Sequence, residues 1–182
     1  MATKKQIDFV KAVYPAAKRL HEEKPNDSIH PIFETMQAAL ERGWSLEGKL
    51  PNNLFGITKG SSWTGKTQLV RTTEYFSNPN VTFKSPEMVV GTPEKLSNGN
   101  YKYIVYRLFR VYDTLEDCLY DHQALFRKSG YADAWPYRND PREFVKRLMD
   151  DTGWKYATGP EYVKTALSMI NTVEQIVKEQ GL

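Results

Sequence analysis

Apolar residues recur at helical spacing at both ends of the chain and at strand spacing in its middle. Val10, Val13, Tyr14, Ala17 and Leu20 form one stripe, which predicts an amphipathic helix over residues 4–22. Lys24-Pro25-Asn26-Asp27-Ser28 breaks it. Pro31 suits a first helical turn, Ile32, Phe33, Met36, Ala39 and Leu40 continue a second stripe, and Gly43 reads as its C-cap. Residues 45–67 are rich in Gly, Asn, Ser and Lys and read as loop. The period then changes. Residues 68–76 (QLVRTTEYF) and 101–112 (YKYIVYRLFRVY) are β-branched and aromatic, which predicts two strands. The polar stretch between them, with Pro86, Gly91, Pro93 and Gly99, predicts turns and a hairpin extension.

Helical spacing returns after residue 113. Thr114 with Asp117 reads as a capping box in which Asp replaces the usual Glu or Gln. Leu115, Cys118, Leu119, His122, Leu125 and Phe126 form the next stripe. Phe144, Val145, Leu148 and Met149 mark a short helix after Asp140-Pro141, and Tyr162, Ala166, Met169, Ile170, Val173 and Val177 mark a long final one. Helices, then a small β patch, then helices make an α+β pattern rather than alternating β-α units.

A chain of 182 residues fits one domain, 1–182, with the β segment at about 66–112. Basic residues exceed acidic ones by 25 − 22, a net charge of +3, which is too small to argue for nucleic acid. Four Trp and eleven Tyr exceed the needs of a core; most are accounted for by packing, and the remainder suit sugar rings. The single cysteine, Cys118, excludes an intrachain disulfide, and its place on an apolar stripe predicts burial. No apolar run reaches the length of a membrane span. The opening MATKKQIDFVKAVYPAAKRL has lysines but no apolar core of a signal peptide, so the expectation is a protein made and kept in a cytoplasm unless something else exports it.

Candidate chemistry narrows quickly. Gly60-Ser-Ser-Trp-Thr-Gly65-Lys66-Thr67 fits the phosphate-binding loop pattern G-x4-G-K-[ST]. That loop requires a helix after it, and QLVRTTEYF is a strand former, so nucleotide binding is the remote alternative. His21, His30 and His122 lack ligand spacing, so no metal and no cofactor is expected. Cys118 and His122 share a helical face, but the apolar stripe argues against a cysteine nucleophile.

Carboxylates remain. Glu41 closes an apolar helix just before Gly43-Trp44, near the negative end of the helix dipole, where the ionised form is disfavoured. A Trp44 wall would desolvate it in the same direction, and a carboxylic acid held protonated is what a glycosidase uses on a leaving oxygen. The competing reading is a solvated surface Glu. Glu74 lies in Arg71-Thr72-Thr73-Glu74-Tyr75, where alternation puts Thr72, Glu74 and Phe76 on one face. It is either exposed or turned toward a cleft.

Six segments, in order, resemble the glucosaminidase family of peptidoglycan hydrolases, the group that includes flagellar rod-cap hydrolases, autolysins and phage lysins. Ala39-Leu40-Glu41-Arg42-Gly43-Trp44 looks like its A-x-L-E-S-G-W-G helix end, and Asn52-Asn53-Leu54-Phe55-Gly56-Ile57 matches its N-N-L-F-G-I loop. Trp63-x-Gly65-Lys66 looks like the glycine-rich turn, and Thr72-Thr73-Glu74-Tyr75 like the T-T-E-Y strand. Phe109-Arg110-Val111-Tyr112-Asp113 and Tyr156-Ala157-Thr158-Gly159-Pro160-x-Tyr162 resemble F-R-x-Y-x-S and Y-A-T-D-P-x-Y. The resemblance covers about residues 30–176. It implies a lysozyme-like α+β fold, a mostly helical body with a small antiparallel β-lobe flanking a cleft, and cleavage of the β-1,4 bond after N-acetylglucosamine in glycan strands.

By motif match the resemblance makes Glu41 the general acid, Glu74 the second carboxylate and Tyr156 a supporting cleft tyrosine. Trp44, Asn53, Phe55 and Trp63 become candidates for sugar contact or loop packing. Arg42 and Ser45 depart from the small residues around the catalytic Glu, Gly159 replaces an Asp, and residues 80–100 form a longer connection than usual. Glu74 would activate water, attack as a nucleophile, or orient a sugar whose own N-acetyl group attacks. The implied partner is peptidoglycan; the missing export signal and compact size make a phage lysin or virion-borne wall hydrolase the expected setting, and the rival is a wall-binding homologue without turnover.

Overall fold

The computed structural model describes residues 1–150 and 161–182, and the chain separates into two compact units, Met1–Gly48 with Asp113–Leu182 and Lys49–Tyr112. The first is helical and the second carries the sheet, in keeping with the α+β expectation.

In the helical unit, α1 (Lys4–Glu23) starts at a capping box: the Gln6 amide donates to the Thr3 hydroxyl at 3.3 Å, and the Thr3 amide donates to Gln6 Oε1 at 2.8 Å. Its buried stripe is Phe9, Val10, Val13, Ala16, Ala17 and Leu20, and the helix runs on through Pro15. Helix α2 (Pro31–Arg42) begins with Pro31 at its first position and ends at Gly43 in the left-handed conformation, φ 56°. Gly43 fits there because it has no Cβ to clash at positive φ. The next residues to leave the sheet unit form α3 (Leu115–Gln123), capped by Thr114 and Asp117 as the sequence predicts. The expected stripe runs to Phe126, but the helix stops at Gln123 and the chain continues in turns and two short 3-10 segments. Helices α4 (Pro141–Asp150) and α5 (Tyr162–Gln180) complete the unit.

Every residue of α2 from Pro31 to Ala39 is buried, so this helix is the axis of the unit. Phe33, Phe126 and Phe144 pack edge to face, with centroids 4.9–5.8 Å apart. The polar residues of α2 are accommodated one by one: Thr35 donates to the Pro31 carbonyl at 2.8 Å, and Gln37 Oε1 accepts from the Tyr162 hydroxyl at 3.0 Å. Cys118 is buried, as expected. At the surface Arg142 grips Glu174 with both guanidinium nitrogens at 2.6 Å, tying α4 to α5, and this hydrogen bonding holds the Glu174 carboxyl below its ordinary range.

In the sheet unit, β1 (Thr67–Phe76), β2 (Met88–Lys95) and β3 (Tyr101–Arg110) form an antiparallel sheet in the order β1-β3-β2. The stretch expected to hold a hairpin extension supplies β2. Its register shifts between Val90 and Glu94, across Gly91 and Pro93, which is where an edge strand tolerates a proline. The unit begins at Lys49, ahead of the expected 66, because residues 57–59 pair with β3 along its final residues. Lys59 donates to the Leu108 carbonyl at 2.7 Å and Arg110 to the Ile57 carbonyl at 3.0 Å. Gly60–Thr67 leads into β1 and not into a helix, so no helix N-terminus meets the phosphate-loop pattern. No helix among the described residues is long and apolar enough to cross a membrane.

His21 and His30 lie 6.2 Å apart, and both imidazoles titrate below their ordinary value. Burial is the main cause for each; Arg138 adds to it for His21, and His21 adds to it for His30. The fold therefore favours the neutral rings, while the unfolded chain takes up protons near pH 6.5. Stability from this pair is complete above about pH 6.5 and is lost as pH falls below it. The melting temperature should drop between pH 7 and 5. It should drop less in His21→Gln/His30→Asn, where Asn keeps the cap of α2; equal slopes would refute the assignment.

Candidate active site

Glu41 stands in the last turn of α2, exposed, with no hydrogen bond or ion pair among the described residues. The expected Trp44 wall around it does not form. Trp44 turns its edge onto Phe9, centroids 6.0 Å apart, and packs against the core. Its φ of 61° puts it in the left-handed region straight after Gly43, a strained place for an aromatic residue. The contact with Phe9 and a 3.3 Å hydrogen bond from its amide to the Ala39 carbonyl hold it there. Trp44 and Phe9 also line a hollow of about 350 Å³ with Lys5, Asp8 and Glu47.

Arg42 does not fold back on Glu41. Its Nε donates to the Ser45 carbonyl at 3.1 Å and its Nη2 to that of Glu47 at 2.5 Å. A Cβ at Gly48 would lie 2.7 Å from Nη2, so the glycine makes room for this clamp. The bulky replacement for a small residue thus fastens the loop after the helix and leaves Glu41 uncompensated.

In the sheet unit the alternation is as expected: Thr72, Glu74 and Phe76 are half-buried, and Arg71, Thr73 and Tyr75 are exposed. Glu74 pairs with Tyr103, so it shares a face with the buried Tyr103, Val105 and Phe109. It makes no hydrogen bond or ion pair among the described residues.

Asn53 is fully buried. Its Nδ2 donates to the carbonyls of Ile57 and Arg110 at 2.9 and 2.8 Å, and its Oδ1 accepts from the Ile57 amide at 2.8 Å. It holds the loop onto β3 and has no surface left for a sugar. Trp63 donates from Nε1 to the Lys66 carbonyl at 3.0 Å, meets Tyr112 at 5.5 Å, and carries the Arg110 guanidinium over its ring at 4.9 Å. Gly65 is required beneath it, since a Cβ there would sit 2.6 Å from the indole. Phe55 is half-buried in the same loop. The structure thus gathers Asn53 and Trp63 around Arg110. Glu74 lies seven residues away along the ladder, about 23 Å at ordinary strand rise. Tyr156 lies outside the described residues.

Residues 17–175 match the Glucosaminidase family, described as Mannosyl-glycoprotein endo-beta-N-acetylglucosaminidase. The chain belongs to this family of glycoside hydrolases. It is 29% identical over 163 residues to the peptidoglycan hydrolase FlgJ of Salmonella typhimurium, covering 86% of this chain and 43% of that protein. It is 26% identical over 164 residues to FlgJ of Pseudomonas aeruginosa, covering 86% and 34%. The chain therefore spans less than half the length of these relatives. Among solved structures, a truncated glycoside hydrolase domain of Salmonella typhimurium FlgJ superposes with a TM-score of 0.65 at 26% identity, over 93% of this chain and 98% of that one. These glucosaminidase relatives bear out the lysozyme-like α+β expectation.

One pair went unnoticed in the sequence. Glu34, with no exposed surface, meets His122 Nδ1 at 3.2 Å, and its second carboxylate oxygen has no hydrogen-bond partner among the described residues. Glu34 sits two turns before Glu41 on the same side of α2. Only its place inside the apolar run Ile32–Leu40 hinted at burial.

Replacing Asn53 with Ala orphans the Arg110 carbonyl and the Ile57 amide at the join between loop and β3, while the Ile57 carbonyl keeps the Arg110 amide. The loss should be about 3 kcal/mol, since each buried group left unsatisfied costs roughly 1–3 kcal/mol. Denaturant unfolding measures it; an unchanged midpoint would show that the loop is held by something else.

Proposed function

We propose that the protein cleaves peptidoglycan glycan strands at the β-1,4 bond after N-acetylglucosamine, with Glu41 as the general acid. Membership of the glucosaminidase family over residues 17–175 carries the reading. The local geometry supports it: a helix buried from Pro31 to Ala39 presents Glu41 exposed in its last turn. Glu41 gives its proton to the bridging oxygen as the sugar takes on oxocarbenium character. Glu74 supplies the second carboxylate and Tyr156 supports the site. The anomer first released defines the part of Glu74: inversion for a base that activates water, retention for a nucleophile or for attack by the N-acetyl group.

Glu41→Gln keeps the shape of an exposed side chain and removes its proton. It should lower the release of reducing ends from purified cell wall by roughly 10²–10⁴-fold while leaving wall binding and the melting temperature in place. Wild type without any such release would identify a wall-binding homologue instead.

The lysin or virion-borne setting is part of the same proposal. Expressed in a bacterial cytoplasm, the protein should leave cells intact until a holin is co-expressed. Lysis that proceeds equally well without the holin would argue against that setting.

A further inference from the structure

Within the sheet unit, Lys59, Ser61, Thr82, Lys84, Glu87 and Arg107 line a cavity of about 430 Å³. Its charges are unevenly matched. Glu87 Oε1 accepts from Arg107 Nε at 2.9 Å and from the Leu108 amide at 2.8 Å. Arg107 also lies over the Phe83 ring, 4.7 Å from its centroid. This acid and this base cancel, and both side chains are about four-fifths buried, at 19% and 20% exposure. Lys59 and Lys84 have no ion-pair partner among the described residues. The hydroxyls of Ser61 and Thr82 make no hydrogen bond among them either. Two uncompensated ammonium groups and two uncommitted hydroxyls suit an anion with several acceptor oxygens.

We propose that this cavity is a subsite for the peptide of peptidoglycan, binding one of its carboxylates. The inference rests on the reading of the protein as a wall hydrolase and names the part of the wall that the sheet unit would recognise. N-acetylated sugars are neutral, whereas the peptides they carry bring carboxylates, amides and methyl groups. Lys59 and Lys84 take the carboxylate, Ser61 and Thr82 take amides, and Phe83 and Leu108 form an apolar wall for alanine methyls. Position agrees. Arg107 and Glu74 lie on one face of the sheet, since Arg107 pairs with Val70 and Glu74 with Tyr103. Four residues of β3 separate Arg107 from Tyr103, about 13 Å, which an extended peptide of four residues spans.

The test is equilibrium binding of the soluble stem tetrapeptide, compared with the same peptide amidated at every carboxylate. Wild type should bind the free acid roughly tenfold more tightly, a preference that weakens as salt screens it. Lys59→Ala/Lys84→Ala should bind both forms as weakly as wild type binds the amide. Lys59→Arg/Lys84→Arg should retain the preference, and matching melting temperatures would show that both variants are folded. Equal binding of the two peptides by wild type, no binding at all, or an undiminished preference in the alanine variant would overturn the proposal. Reducing-end release from intact wall separates the two readings. Peptide binding without release overturns the enzymatic function and upholds the subsite; release without peptide binding does the reverse.

Discussion

Burial of α2 on every side is the constraint on which the helical unit depends. A helix enclosed from Pro31 to Ala39 cannot shift along its axis without breaking contacts of Phe33 with Phe126 and Phe144. Two of its polar residues add direction to that packing, because Gln37 reaches Tyr162 of α5 and Glu34 reaches His122 of α3. The buried carboxylate of Glu34 meets His122 Nδ1 at 3.2 Å, a polar contact between α2 and α3 inside the core. The C-terminal turn emerges from this anchorage, and Glu41 emerges with it.

The loop after α2 is equally constrained. Two left-handed residues in succession, Gly43 and Trp44, end the helix, and the second is held by its indole packing on Phe9 and by its amide bond to the Ala39 carbonyl. Arg42 then ties the carbonyls of Ser45 and Glu47 to the helix end. A positive charge adjacent in sequence to the acid is thus committed to backbone oxygens.

The sheet unit rests on a different device. Asn53 mimics a strand partner for a loop with no regular structure, answering backbone groups of Ile57 and Arg110. Residues 57–59 then borrow the edge of β3 that β2 leaves open. Residues of family motifs therefore serve two ends: Asn53, Trp63 and Gly65 build the scaffold, and Glu74 is displayed on it. The connection between β1 and β2 brings Lys84 to Lys59 and so completes the basic cavity.

Periodicity and local turn signals determined the order of the helices and of β1 and β3, the helix start at Pro31, the caps at Gly43 and Thr114, and the face of β1 that carries Glu74, because these depend on neighbours within a few residues. The ordered motifs determined the family. Tertiary structure alone decided that Asn53 is sealed inside a hydrogen-bond network, that Trp44 packs on Phe9 and does not screen Glu41, and that Glu34 finds His122 across 88 positions of sequence. It also decided that Gly60–Thr67 runs into a strand and that Lys59 and Lys84 share a cavity. The physical reason is the same throughout: burial and pairing depend on residues distant in sequence, and local spacing does not encode which of them will meet.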